Sequence, residues 1–260
     1  MNDFLTNNSL RALTIAGFDP SGGAGVLADV RTFAAFGLQA SAAITSITLQ
    51  NTKRVFGALH QTGEAVRAQV MPLLEDYTFA CTKTGMLPTR EVILEVARLF
   101  RETDLPRPVV DPVILSSSGQ RLMEQDAIGA LLDELIPLAR LVTPNIPEAE
   151  TLTGITITSE ADMLKAAATI RQLGARAVLV KGGHLAGDAI DVLDNEGKIT
   201  VFREQRVSGG DLHGSGCILS AAVAAGLGQG KTLEDSVGAA KSFVLEALRN
   251  SARIEPWQSS

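Results

Sequence analysis

Apolar residues along this chain fall into short continuous runs, and segments with helical spacing separate one run from the next. Leu10 to Ala16 reads as a buried strand ending at Gly17, and the loop Phe18-Asp-Pro-Ser-Gly-Gly23 leads into a helix over about 24–36. Strand-like runs recur at 41–49, 78–84, 108–115, 139–143 and 177–181. Several hold continuous apolar stretches, as parallel strands covered on both faces do. Helical segments lie between them at about 64–75, 89–102, 124–136 and 159–173, with Gly174 as the C-cap of the last. Residues 188–207 differ, because two alternating runs flank Asp194-Asn-Glu-Gly197, which is a hairpin signature. Two closing helices follow at about 215–227 and 232–249. This alternation predicts an α/β fold, with a mostly parallel central sheet flanked by helices on both faces and a small hairpin. No repeat, linker or low-complexity segment interrupts it, so residues 1–260 read as one domain.

In open α/β sheets a ligand lies beyond the carboxyl ends of the strands, so the residues there carry the most information. They are Gly17 and Asp19, Gln50 and Asn51, Lys83 to Met86, Asp111, Asn145 with Glu148, and Lys181 with Gly182 and Gly183. Together they set carboxylates, amides and a lysine along one edge. Opposite them stands the turn His213-Gly-Ser-Gly-Cys217, followed by the small apolar run of a helix buried on most sides. Gly214, Ser215 and Gly216 let successive N–H groups converge at a helix N-terminus, and such a terminus holds a phosphate without a basic side chain. Cys217 sits at the same point. A thiol there is expected to have a lowered pKa and to act as a base or nucleophile; the alternative is a small residue packing at a helix start.

Composition narrows the function classes. Hydrophobic residues make up 45% and charged residues 20%, which gives material for a core and no case for disorder. The net charge of −6 and the lack of a Lys/Arg run argue against nucleic acid as a partner, though not against a nucleotide. Two cysteines, Cys81 and Cys217, form no disulfide framework and fit a reducing compartment. No basic start with an apolar h-region opens the chain, and no apolar stretch is long enough for a membrane, so a cytoplasmic protein is expected. Asn7-Asn-Ser9 is a glycosylation acceptor only in a secreted chain.

Several motifs have structural readings beside the functional ones. Gly23-Ala-Gly25-Val-Leu-Ala28 fits a dinucleotide fingerprint, but it is displaced from the strand end and lacks the acidic partner after the next strand. Gly230-Lys-Thr232 resembles the end of a P-loop, yet follows a helix; it reads as a turn with Thr232 as an N-cap. His60 and His184 read as loop or hydrogen-bonded histidines, and Cys81 as core. His213 adjoins the anion turn, where phosphate contact and a structural hydrogen bond are both open. Glu148 is either the acidic residue of a helix start or a Mg²⁺ ligand; Asp111, before Pro112, is a turn residue or the partner carboxylate. Lys181 closes a strand before two glycines and suits a nucleotide phosphate better than a solvated end.

These motifs, taken in order, resemble the hydroxymethylpyrimidine/phosphomethylpyrimidine kinases of thiamine biosynthesis, members of the ribokinase-like superfamily. The resemblance rests on Ala16-Gly-Phe-Asp-Pro-Ser-Gly-Gly-Ala-Gly-Val-Leu-Ala-Asp29, Gln50-Asn-Thr52, Lys83-Thr-Gly-Met-Leu87, Val110-Asp-Pro-Val113, Thr143-Pro-Asn-Ile-Pro-Glu-Ala-Glu150, Val180-Lys-Gly-Gly-His184 and His213-Gly-Ser-Gly-Cys217. It implies ATP-dependent phosphorylation of 4-amino-5-hydroxymethyl-2-methylpyrimidine and then of its monophosphate. It also implies that Gly17, Asp29, Gln50, Met86 and Val113 line the pyrimidine pocket, that Asn145, Lys181 and His213 serve the nucleotide, and that Asp111 and Glu148 serve Mg²⁺. Cys217 would be the base, on the glycine turn of Gly214, Ser215 and Gly216. A small-molecule pyrimidine and ATP are the expected partners, with a homodimer as the expected assembly. Leu212 and Ile218 stand where the family usually has threonines, and Ile114 to Gly119 lacks a basic residue often found there. A vitamin B6 kinase of the same superfamily and a non-catalytic nucleotide or pyrimidine sensor are the competing readings.

Overall fold

The computed structural model describes residues 10–51, 54–116, 119–183, 188–204 and 213–253, the side chains of 250–253 excepted. Among the described residues nine strands form one sheet in the order β3-β2-β1-β4-β5-β6-β7-β8-β9. Six are parallel: β2 (Gln39–Gln50), β1 (Arg11–Phe18), β4 (Cys81–Thr84), β5 (Val109–Val110), β6 (Leu141–Val142) and β7 (Ala177–Lys181). Antiparallel strands close both ends: β3 (Val55–His60) on one, and the hairpin of β8 (Ala189–Asn195) and β9 (Lys198–Glu204) on the other. β1 has β2 on one side and β4 on the other, so the direction of winding reverses between β1 and β4. That crevice is where an open α/β sheet takes its ligand.

The sheet divides two apolar cores. On one face Leu13 and Ile15 of β1 pack with α2 (Gly63–Asp76), α3 (Arg90–Glu102), α4 (Ala127–Ala130), α5 (Ile146–Thr153) and α6 (Glu160–Gln172). On the other, Ala12 and Cys81 pack with α1 (Gly25–Ala35), α7 (Ser215–Gly228) and α8 (Leu233–Arg253). Side chains alternate along a strand, so Thr14 of β1 and Lys83 of β4 also turn toward α1 and α7. α7 is buried on all sides from Leu219 to Gly226, which is why its residues are small and apolar without a polar stripe.

The observed elements follow the alternation read from the sequence, with corrections at particular elements. The strands expected over 108–115 and 139–143 are only Val109–Val110 and Leu141–Val142, because Pro108, Pro112 and Pro144 interrupt the ladders. The helix expected over 124–136 is one α turn followed by a π turn (Leu131–Leu135) and a 3₁₀ turn (Ile136–Leu138), where Pro137 stops regular bonding. β3 was not anticipated, and α5 was anticipated only as a helix start, one of the two readings of Glu148. The hairpin forms as read, with Glu196 and Gly197 both at positive φ, 54° and 94°, and residues 205–207 of that segment lie outside the described residues. So do Thr52, His184 and Leu212 and the acceptor at Asn7-Asn-Ser9. Thr232 caps α8 by accepting the Asp235 N–H at 3.1 Å, and His60 Nδ1 meets Ser46 Oγ at 2.7 Å. No helix among the described residues is long and apolar enough to cross a membrane.

Candidate active site

Gly214 is the N-cap of α7 at φ 80°, and a Cβ there would lie 2.1 Å from the Gly23 carbonyl oxygen, so no other residue fits. The turn is thereby pressed against the loop that precedes α1. Asp19 shapes that loop: its carboxylate accepts the Ser21 N–H at 2.8 Å, the Ser21 hydroxyl at 2.7 Å and the Ala24 N–H at 2.9 Å. His213 Nε2 joins it at 3.0 Å, and the Gln50 amide donates to it from the end of β2. Burial alone would raise the Asp19 carboxyl, but the bonds from Ser21, Gln50 and Ala24 outweigh it and hold the group below the ordinary range. The residues that suggested a dinucleotide fingerprint therefore form a brace for the α7 turn. Gly214, as N-cap, has no side chain with which to cap α7, and a helix start of this kind is suited to an anion.

Beside this turn lies a row of charge. Lys181 Nζ, at the end of β7, donates to Asp111 Oδ1 at 3.1 Å, and the Thr143 hydroxyl reaches the same oxygen at 3.1 Å. Asp111 Oδ2 has the Ser220 hydroxyl at 3.4 Å. A Cβ on Gly216 would sit 3.1 Å from Lys181 Nζ and 3.9 Å from Asp111 Oδ2, so the ion pair rests directly on the first turn of α7. Burial would raise Asp111, but Lys181 and Lys83 keep it below the ordinary range.

Asn145 and Glu148 form a capping box on α5, each accepting the other's backbone N–H at 2.9 Å. The helix-start reading of Glu148 is the one the capping box bears out, and the same carboxylate also faces Lys181 and Asp111. Burial pushes its carboxyl up to about 7, with Lys181 opposing and Asp111 adding to the rise. The backbone of Asn145 pairs with that of Lys181, which joins the cap to the row.

Cys217 departs from expectation. Its place at a helix N-terminus predicted a lowered pKa, whereas burial pushes the thiol up to about 11. Desolvation outweighs the helix here because the sulfur sits among Asp29, Asp111 and Lys83, with the Gly25 N–H as its backbone donor. Asp29 has no exposed surface; Lys83 Nζ donates to its two oxygens at 2.9 and 2.8 Å and the Thr14 hydroxyl at 2.6 Å. Its carboxylate is thus turned inward beneath the crevice.

The other pocket residues lie at the strand ends. A Cβ on Gly17 would be 3.1 Å from Met86 Sδ, so these two form one wall. Met86 borders a cavity of about 270 Å³ between β3 and residues Gln120 to Glu124. Val113 is half-buried and follows Asp111, its N–H bonded to the Asp111 carbonyl at 2.9 Å. The structure thus joins Gly214, Ser215, Gly216 and Cys217 to Asp111 and Lys181, with Asn145 and Glu148 next to them. Gln50 and His213 converge on Asp19, and Gly17 and Met86 stand at the crevice. Sequence reasoning gave no role to Lys83, Thr143 or the Gly25 amide. Lys83 stood among the strand-end residues, but β4 reads Cys-Thr-Lys-Thr, so nothing in its neighbours marked the lysine as buried.

Among the described residues no group of three or more His, Cys, Asp or Glu side chains could hold a metal ion by itself. Asp111 and Glu148 nevertheless suit Mg²⁺ arriving with a nucleotide, because magnesium keeps several waters and takes one or two carboxylates along with phosphates.

Comparison with known proteins bears on the whole chain. The sequence profile of the phosphomethylpyrimidine kinase family matches residues 19–259. A hydroxymethylpyrimidine/phosphomethylpyrimidine kinase of Streptomyces coelicolor is 41% identical over 236 residues, covering 91% of this chain and 87% of the relative. The crystal structure of phosphomethylpyrimidine kinase from Clostridium difficile 630 superposes with a TM-score of 0.82 at 39% identity, covering 92% of this chain and 100% of that one. An ADP complex of Bacillus subtilis pyridoxal kinase also gives 0.82, at 35% identity, over 90% of each chain.

Proposed function

The chain belongs to the phosphomethylpyrimidine kinase family, and from that premise we propose that it phosphorylates 4-amino-5-hydroxymethyl-2-methylpyrimidine with ATP, and then the resulting monophosphate, in thiamine biosynthesis. It is a phosphotransferase with the ribokinase-like fold that its motifs implied. One observation carries the site assignment: the uncapped N-terminus of α7, with the Lys181–Asp111 pair resting on Gly216.

Phosphoryl transfer depends on positioning and on stabilising charge at the phosphoryl oxygens. The N–H groups of Gly214, Ser215 and Gly216 receive the γ-phosphoryl group, and Lys181 neutralises its oxygens. The hydroxymethyl oxygen attacks phosphorus, the bond to the ADP oxygen breaks, and the hydroxyl proton passes to Cys217 as its thiolate, a minor form at neutral pH while burial pushes the thiol up to about 11. Asn145 and His213 border the nucleotide. Asp111 and Glu148 would hold Mg²⁺, which when bound would offset negative charge on the phosphates. Gly17, Gln50, Met86 and Val113 line the pyrimidine, whose donor and acceptor edge an amide such as Gln50 can match. Asp29 belongs to this pocket as its buried support. The whole chain acts as one kinase domain, in the cytoplasm, as a homodimer.

A vitamin B6 kinase is the second reading, favoured by the likeness to the Bacillus subtilis pyridoxal kinase structure. Specificity constants measured with Mg-ATP on hydroxymethylpyrimidine and on pyridoxal decide between the two. A higher constant for the pyrimidine is expected; a preference for pyridoxal overturns the first reading. Binding of both ligands without ADP release would make the protein a sensor.

A further inference from the structure

Lys241 of α8 and Asp191 of β8 form an ion pair that the transfer described above leaves unused, and their side chains are only 9% and 10% exposed. Its place in the sheet is the informative property. Asp191 stands directly opposite Lys181, the last residue of β7. Two positions along the same ladder, Leu179 and Leu193 face each other in the core beneath α7 and α8. Side chains alternate along strands, so Lys181 and Asp191 point to that side as well. Directly opposed residues on one face of an antiparallel pair have Cβ atoms about 5 Å apart, which makes these two opposite charges natural partners. Yet Lys181 Nζ turns to Asp111, at 3.1 Å, across β6. The reason lies in what occupies Asp191. Its Oδ1 accepts the Gly182 N–H at 2.9 Å, and its Oδ2 accepts Lys241 Nζ. A Cβ on Gly182 would lie 2.0 Å from the Ile190 carbonyl oxygen, so the backbone just after Lys181 lies against β8 and only glycine fits there. Each lysine thus has its own carboxylate, Lys241 with Asp191 and Lys181 with Asp111.

We propose that Lys241 is a positioning residue for Lys181: by holding the Asp191 carboxylate, it leaves the Lys181 ammonium to Asp111 and to the phosphates of the nucleotide. The inference rests on Lys181 serving the nucleotide, as in the function proposed above. Without Lys241, a free oxygen of Asp191 faces Lys181 from the neighbouring strand and draws the ammonium away from the first turn of α7. Neutralising Asp191 as well removes that competitor. A role in packing alone would make the second substitution add to the damage of the first, whereas competition for Lys181 makes it a repair.

The test is calorimetric binding of Mg-ATP to the full-length protein, with ADP release in the presence of hydroxymethylpyrimidine as the second readout. Lys241→Met should weaken Mg-ATP binding by about tenfold or more, the effect of losing one hydrogen bond from a charged group. It should also lower kcat while leaving KM for the pyrimidine unchanged. The double variant Lys241→Met/Asp191→Asn keeps an oxygen that accepts the Gly182 N–H but carries no competing charge, and should return both readouts most of the way to the parent. If Lys241→Met does not fold, Lys241→Gln takes its place, since its amide donates to Asp191 without supplying the charge, and the same loss and recovery are required. Unchanged Mg-ATP affinity in the folded single variant, or a double variant no better than the single one, overturns the inference. Failure of both single variants to fold would make the pair a matter of stability and overturn it too. Mg-ATP binding is measured without an acceptor, so a parent protein that binds Mg-ATP but releases no ADP with the pyrimidine fails the functional reading and leaves this test standing.

Discussion

Lys181 and Asp111 meet at 3.1 Å, one from the end of β7 and the other from just past β5, across the intervening β6. Their side chains are 15% and 3% exposed, so the pair is nearly dry and still reaches the first turn of α7. Breaking it from one side should be costly. Lys181→Met leaves a buried carboxylate without its partner and is expected to destabilise the fold by about 3–5 kcal/mol. The double variant Lys181→Met/Asp111→Asn should recover much of that stability without recovering activity. Chemical denaturation of the two variants makes the comparison.

Gly216 offers a narrower probe of the same contact. Its helical backbone accommodates alanine, but the new methyl would press on Lys181 Nζ from 3.1 Å. Gly216→Ala should keep its melting temperature within a few degrees and lose activity through a displaced ammonium, by about tenfold to a hundredfold. A loss of the same size in ADP release and in folding stability would contradict this.

Cys217→Ala should separate the two phosphorylations. The first acceptor is a hydroxyl that must lose a proton, and general-base assistance contributes about 10²–10⁴-fold. The second acceptor is a phosphomonoester oxygen, already largely ionised at neutral pH because its second pKa is about 6. The variant should therefore lose the first step far more than the second, with nucleotide affinity near normal. Equal losses in both steps, measured by supplying each acceptor separately, would count against the base assignment.

Glu148 sets a pH dependence on stability. Its folded-state pKa of about 7 lies above the ordinary 4.5, so between those values the folded chain binds the extra proton and the unfolded chain does not. The contribution to stability is present below about 4.5, falls as pH rises, and is lost above about 7. Glu148→Gln should flatten the slope in this window, while glutamine at the same position continues the capping box. Urea denaturation across the window reads the difference directly.

Much of the fold was legible because its signals are local. Continuous apolar runs marked β1, β2 and β7, the Asp194 to Gly197 segment marked the hairpin, and the small apolar run after Cys217 marked a helix enclosed by neighbours. Glycine positions in the anion turn were also readable, and the structure supplies the reason in the 2.1 Å approach that glycine permits at Gly214. β3 was hidden because an edge strand with Phe56 and Leu59 exposed carries no clean alternation. α5 showed only as a possible helix start at Glu148, because its 8 residues are too few to display a period.

The sequence alone determined the order of elements, the edge of the sheet that carries the chemistry and the family pattern on it. Tertiary structure decided the charge state and the direction of each group. A helix start suggested an acidic thiol, but the acidity of Cys217 depends on how much water is removed and which charges replace it, and those come from α1, β4 and the end of β5. Asp29 looked like a pocket carboxylate until Lys83, 54 residues away in the chain, was found holding it. Electrostatic energies depend on distance and burial in space, and sequence spacing encodes neither once strands cross over.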